Sequence, residues 1–368
     1  MEALIPLEYY TTVYYYILLV VCLFMYLSSA TVGLENDNNL KNKNILGVAM
    51  VIFTIVYIGL RPVSGAYFGD MRTYSDAFER YAAGDMVDVS AAAKDMYFEY
   101  FMKACSTVMS QEAFFFVCAA IYVIPLYFVC RKFFRQFWFY GFAMLIFSFS
   151  FWSYGTNGIR NGMATSLFLL AISRESRIWT YAIFGLTLMI HKSMLIPIGA
   201  FTVASYYTNT RNYLIAWAIA IPVSFALGSA LENFFLTLGL FDDSRLQEYL
   251  GDEDSVEATF KTGFRWDFLL YSSVGIFCGW YFLVKKKLED TFYRHLFHTY
   301  LIANTFWILV IRANFSNRFA YLSWFMLGLV VIYPFLKNRF FDNQHIIVGR
   351  IAFAYYAFTF FMAIYIYS

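Results

Sequence analysis

The chain has 368 residues, 61% of them apolar and 14% charged, with a formal net charge of +2. Soluble domains carry roughly 45–50% apolar and about 25% charged residues, so no single soluble core hides this surplus of 43 Phe, 31 Tyr and 8 Trp. The same composition excludes a disordered chain, a fibrous repeat and a disulfide scaffold. What remains is an all-α, polytopic membrane protein.

The first apolar run is flanked by Glu2 and Glu8 and has neither a basic leader nor a small-residue cleavage site, so it is read as a retained span. A crossing helix needs about 20 apolar residues for a hydrocarbon layer of ~30 Å. Candidate spans are 13–32, 45–61, 113–130, 137–154, 157–173, 178–190, 194–207, 212–230, 266–284, 293–311, 319–336 and 348–366. A helical bundle of ten to twelve crossings is expected. Two long polar segments interrupt the series, 62–112 and 231–265, the second carrying Gly251-Asp252-Glu253-Asp254. Within the first, residues 72–83 (Arg72, Tyr74, Asp76, Phe78, Glu79, Arg80 and Tyr81 among them) read as an amphipathic helix lying on the membrane. No internal repeat or Pro/Gly-rich linker occurs, so residues 1–368 are read as one membrane domain. The five cysteines are scattered without metal-site spacing and read as small apolar filler.

Charge fixes the direction of threading. Basic residues collect in cytoplasmic loops. With the N-terminus outside, fifteen of the 27 basic residues but only six of the 25 acidic ones fall in inner connections. Merging 178–207 into one crossing would carry Lys285-Lys286-Lys287 outside, so two crossings, or a re-entrant pair of the same parity, are kept there, with His191 at the outer side. The two long segments then face outward and are expected to cap an outward-facing cavity.

Ionisable groups gather at the same outer ends. They are Arg61, Asp70, Arg72, Glu99, Arg160, His191, Lys192, Arg265, Asp267, Arg312 and Arg318. Charges at membrane depth are costly and mark functional sites, although single arginines and lysines also snorkel to headgroups. Asn157, Arg160 and Asn161 recur at i, i+3 and i+4, which frames one guanidinium with two amides on one helical face. A planar guanidinium fork suits phosphate or carboxylate. Gly158 and Gly162 make a GxxxG step that permits close helix approach. His295 and His298 have no third ligand nearby, and the sequence contains no P-loop, GxSxG motif or carboxylate-rich metal box. An ATPase or a metal-dependent DxD transferase is therefore unsupported.

Five polar islands stand in order along the chain: Ile58-Gly59-Leu60-Arg61 with Gly69-Asp70 and Tyr74; Tyr97-Phe98-Glu99-Tyr100; Asn157-Gly158-Ile159-Arg160-Asn161; Ile190-His191-Lys192-Ser193 with Pro197; and Asn317-Arg318-Phe319. Together they resemble the EpsG-type branch of the Wzy-like bacterial polysaccharide polymerases. The resemblance implies a GT-C-like helical bundle in the bacterial cytoplasmic membrane with its active site on the outer face. It implies a glycosyltransferase that joins undecaprenyl-diphosphate-linked oligosaccharide repeat units and releases undecaprenyl diphosphate. Carried onto this sequence, Arg61, Arg160 and Arg318 would bind the diphosphate, with Arg72 and Arg312, two further arginines at outer span ends, beside them. His191, Asp70 or Glu99 would serve as base, with Arg160 also in the catalytic set. Tyr74, Asn157, Asn161, Lys192, Ser193 and Asn317 would position substrate. No cofactor or metal is implied. The expected partners are the lipid bilayer, the lipid-linked oligosaccharides, a chain-length regulator and a flippase, with no nucleic acid.

Three other readings compete. An O-antigen ligase performs the same displacement onto a different acceptor. A flippase for the lipid-linked repeat needs a polar path through the full bilayer depth, whereas here mid-span positions are apolar. A structural scaffold leaves the intramembrane Arg160 without purpose.

Overall fold

The structure is a computed structural model that describes residues 5–34, 36–87, 96–237, 263–312 and 316–366, with 229 and 232–237 described as backbone only. Every regular element among the described residues is helical. Seven helical stretches are long and apolar enough to cross a membrane: Leu7–Thr31, Asp37–Gly59, Gln111–Ile146, Thr210–Gly228, Trp266–Lys285, Ser316–Lys337 and Gln344–Ile366. The shorter apolar helices Ile159–Ile172 and Arg177–Ile190 accompany them. The chain is thus an all-α polytopic membrane protein.

By contact, the described residues group into two compact units, one of residues 1–194 and 332–368 and the other of residues 195–331. No change of composition marks either boundary, so nothing in the sequence announces the division. The first unit contains α1 (Leu7–Thr31), α2 (Asp37–Gly59), α3 (Gly65–Phe68), α4 (Met71–Ala82), α5 (Met96–Ser106) and α6 (Gln111–Phe134). It continues with α7 (Trp138–Ile146), α8 (Phe149–Thr156), α9 (Ile159–Ile172) and α10 (Arg177–Ile190). The second unit contains α11 (Leu195–Tyr206), α12 (Thr210–Thr237), α13 (Trp266–Trp280) and α14 (Thr291–Leu309). Helix α15 (Ser316–Lys337) begins in the second unit and ends in the first, and α16 (Gln344–Phe361) completes the first.

Local chemistry sets the helix starts. The side chains of Asn36, Ser110 and Asp290 accept bonds from Asn39, Ala113 and Tyr293 backbone N–H groups, which have no intrahelical partner. Within the first unit α9 packs on both α6 and α10. Gly162 makes the tight contact of α9 with α8 possible, since a Cβ there would stand 2.5 Å from the Tyr154 carbonyl oxygen. In the second unit a buried polar relay ties three helices: Trp217 Nε1 donates to Asn304 Oδ1 at 2.8 Å, and Asn304 Nδ2 to Ser323 Oγ at 3.0 Å.

Four expectations need correction. The span 137–154 is two helices, because the chain breaks at Phe147-Ser148 between α7 and α8. The described residues of the segment 62–112 form three helices rather than a loop. Helix α4 forms where expected, but its apolar face rests on protein: Tyr74 packs on Phe98 and Phe78 on Phe114. Gln111 Nε2 also donates to Ser75 Oγ at 2.6 Å, which fastens α4 to the start of α6. Lys43, counted with an inner connection, lies inside α2 at 1% exposure with its ammonium donating to the Tyr140 hydroxyl. Most of 231–265, including the acidic stretch at 251–254, lies outside the described residues.

Candidate functional site

The site is built around an interruption. Helix α8 ends at Thr156 and α9 starts at Ile159, leaving Asn157 and Gly158 between them. A helix N-terminus carries unpaired N–H groups and a partial positive charge, so the start of α9 favours anions, and Arg160 in its first turn adds a full charge. Arg160 is half-buried and its plane is fixed from the side: Nε donates to the Tyr74 hydroxyl at 3.1 Å. The guanidinium lies over the rings of Tyr74 and Phe98, 5.5 and 5.9 Å from their centroids.

Tyr74 comes from α4, and one turn before it stands Asp70, joined by the backbone bond from Tyr74 N–H to Asp70 O. The two residues share a helix face. Asp70 is half-buried at the helix start, and its own N–H donates to Asn157 Oδ1 at 2.8 Å. Gly69 makes this approach possible. Its backbone sits at φ +53°, ψ −116°, a conformation that side-chain-bearing residues rarely adopt, and a Cβ would stand 2.5 Å from Asn157 Oδ1. We expect Gly69→Ala to cost on the order of 1–3 kcal/mol, read as a lowered thermal midpoint of the purified protein. Gly84, at φ +106° with open space around its Cβ position, is the control: alanine there meets the backbone penalty without the clash, so a midpoint drop no larger than that of Gly84→Ala would contradict the clash.

The fourth island arrives from α10. That helix stops at His191, whose backbone is extended, and a 3₁₀ turn over Lys192–Met194 precedes α11. Pro197 lacks the N–H that a continued α10 would need to bond Ser193, and proline is tolerated in the first turn of the new helix. Ser193 Oγ donates to Asn161 Oδ1 at 3.5 Å, which ties the break to α9. His191 is half-buried and Lys192 exposed.

The remaining sequence-derived residues are placed differently. Arg61 is buried at 4% exposure, and its terminal nitrogens donate to the carbonyl oxygens of Ile58 and Thr156. Arg72 points away from the packed face of α4, with its side chain 68% exposed and its Nε 3.0 Å from Asp76 Oδ1. Glu99 accepts a 2.8 Å bond from the Tyr81 hydroxyl, and it is the neighbouring Phe98 that reaches Arg160. The alternation of α5, which turns Phe98 inward and leaves Tyr97 and Tyr100 exposed, was the available signal for that ring. In the second unit Arg312 lies over Phe225 at 5.1 Å and against Gly228, beside the non-helical Leu227 of α12. Asn317 is half-buried and Arg318 exposed in the first turn of α15. Among the described residues no three His, Cys, Asp or Glu side chains gather as a metal-binding group would require.

The fold and the site define a polytopic membrane protein with a polar, arginine-centred site at the ends of short helices. Residues 44–368 match the EpsG family, and the chain belongs to it. Membership gives the chain a polysaccharide-polymerase type of function. No curated protein and no solved structure matches the chain.

Proposed function

We propose that the protein polymerises polysaccharide by joining lipid-linked oligosaccharide repeat units at the outer leaflet of the bacterial cytoplasmic membrane. The observation that carries this reading is the meeting of islands far apart in sequence. Asp70 joins Asn157, Tyr74 joins Arg160, and Ser193 joins Asn161, all at the α8–α9 interruption. In the reaction, a sugar hydroxyl at the non-reducing end of one repeat attacks the anomeric carbon of the other chain. The bond from that carbon to the diphosphate oxygen breaks, its electron pair leaves with undecaprenyl diphosphate, and the hydroxyl proton passes to a base.

Charge grows on the leaving diphosphate, and a fixed guanidinium stabilises it without having to reorganise. Arg160 takes that role here, since Tyr74 and Phe98 hold its orientation. Arg72, Arg312 and Arg318 are the further cations assigned to the diphosphate, Arg318 on the family resemblance and Arg72 and Arg312 as arginines read at outer span ends. His191 is assigned as base, with Asp70 as rival; Glu99 ranks behind them because its carboxylate holds the Tyr81 hydroxyl. Asn161, Lys192, Ser193 and Asn317 are assigned to substrate positioning.

The test is to incubate purified protein in liposomes with undecaprenyl-diphosphate-linked repeat units and resolve the products by length. A ladder of lengths is expected. Addition of a single block onto a different acceptor would replace the polymerase reading with a ligase, and movement of substrate without new linkages would replace it with a flippase.

A further inference from the structure

We propose that Arg61 is a positioning residue that straps the 61–70 segment to the α8–α9 interruption and thereby sets Asp70 relative to Arg160. The reading takes its functional consequence from the polymerase proposal above, while the strap itself stands on geometry alone. Arg61 is 4% exposed, so a lipid diphosphate would reach it only after the surrounding packing opened. The carbonyl of Ile58 lies at the C-terminal end of α2, and that of Thr156 closes α8. The last four carbonyls of a helix have no intrahelical donor and carry partial negative charge. One planar fork satisfies both ends, at 2.8 Å for Thr156, and the rings of Phe68 and Phe115 flank it at 5.8 and 5.5 Å.

The other end of the same segment is also fastened, to the very next residue. Arg61 holds the Thr156 carbonyl, and the Asp70 N–H is held by Asn157 Oδ1. Two consecutive residues, the last of α8 and the first of the interruption, thus receive both ends of one segment. Phe68, packed over the guanidinium, comes one residue before the left-handed turn at Gly69 that delivers Asp70. Arg160 follows three residues after Asn157, so the strap determines the spacing of carboxylate and guanidinium across the site. Lysine keeps the charge, but a single ammonium does not reproduce the planar fork that serves two carbonyls in fixed directions. This moves Arg61 out of the phosphate-binding set that the family resemblance implies.

The experiment compares wild type, Arg61→Lys, Asn157→Ala and the double variant, reconstituted alike. Hydrogen–deuterium exchange without substrate reads the strap, and steady-state polymerisation reads its consequence. A hydrogen bond to a backbone amide contributes about 1 kcal/mol, so amides of peptides covering 65–72 should exchange about fivefold faster in either single variant. Exchange in α16 should stay unchanged. The double variant should exchange no faster than the faster single one, because both substitutions release the same segment. In turnover, kcat should fall with KM little changed, and the double variant should be no slower than the slower single one. Wild-type exchange in Arg61→Lys would overturn the strap. A raised KM with kcat held would also overturn it, since loss of uniform substrate binding has that signature. Should Arg61→Lys not fold, Arg61→Gln, which retains two amide donors, takes its place with the same criteria. If wild type forms no polymer at all, the exchange data alone decide the strap and the polymerase reading is what falls.

Discussion

Replacing Arg160 with alanine should abolish polymerisation, and replacing it with lysine should remove most of it while the protein still inserts and folds. The reason is directional. Nε is committed to the Tyr74 hydroxyl and the plane is set by Tyr74 and Phe98, so the rest of the fork faces a fixed direction. Phosphate oxygens match that fork in pairs, and an ammonium on a flexible stem offers charge without the match. Removing one preorganised donor from a site of developing negative charge typically costs about 10²–10³ in rate, and we expect Arg160→Lys to fall in that range in the liposome ladder assay. Tyr74→Phe separates the two contributions. It keeps the ring beneath the guanidinium and deletes only the hydroxyl, so its loss should be smaller than that of Arg160→Lys. Near-normal polymer from Arg160→Ala would remove the residue from the mechanism.

Loss of His191 should cut turnover while leaving the binding of lipid-linked substrate largely intact. General-base assistance contributes about 10²–10⁴-fold, and His191→Ala should lose turnover on that scale. A variant that keeps more than about a tenth of the wild-type rate would make the histidine structural and pass the role to Asp70. The α4 geometry makes that alternative concrete, because Asp70 shares a helix face with the tyrosine that holds Arg160.

The membrane-crossing segments were legible because they rest on long apolar runs, and 37–59, 210–228, 266–285, 316–337 and 344–366 each contain or overlap an expected span. The α7–α8 break was not. Phe147-Ser148 carries neither proline nor glycine, and apolar residues continue on both sides, so no periodicity changes there. The helices of 62–112 were hidden for the opposite reason: the segment is polar overall, and only 72–83 shows a strong helical period. For the site, residue type and order were enough to nominate Arg160, Asn157, Asp70 and the His191-Lys192-Ser193 turn. Arg61 shows the limit of that reasoning. Whether a guanidinium reaches for phosphate or for the ends of two helices depends on which carbonyls the fold brings beside it, and Thr156 is 95 residues away in sequence.

Helices α9 and α10 contain 14 residues each, and at 1.5 Å per residue each extends about 21 Å. The hydrocarbon layer is about 30 Å thick, so each falls roughly 9 Å short, and Arg160 and His191 stand at their free ends. A short hydrophobic length is accommodated by local thinning of the bilayer. Where this hairpin crosses the bilayer, the lipid beside it is therefore expected to thin, which would bring the headgroup plane toward the guanidinium. If Arg160 meets the diphosphate as proposed, acyl-chain length should act on turnover, with polymerisation in liposomes faster in thin bilayers than in thick ones.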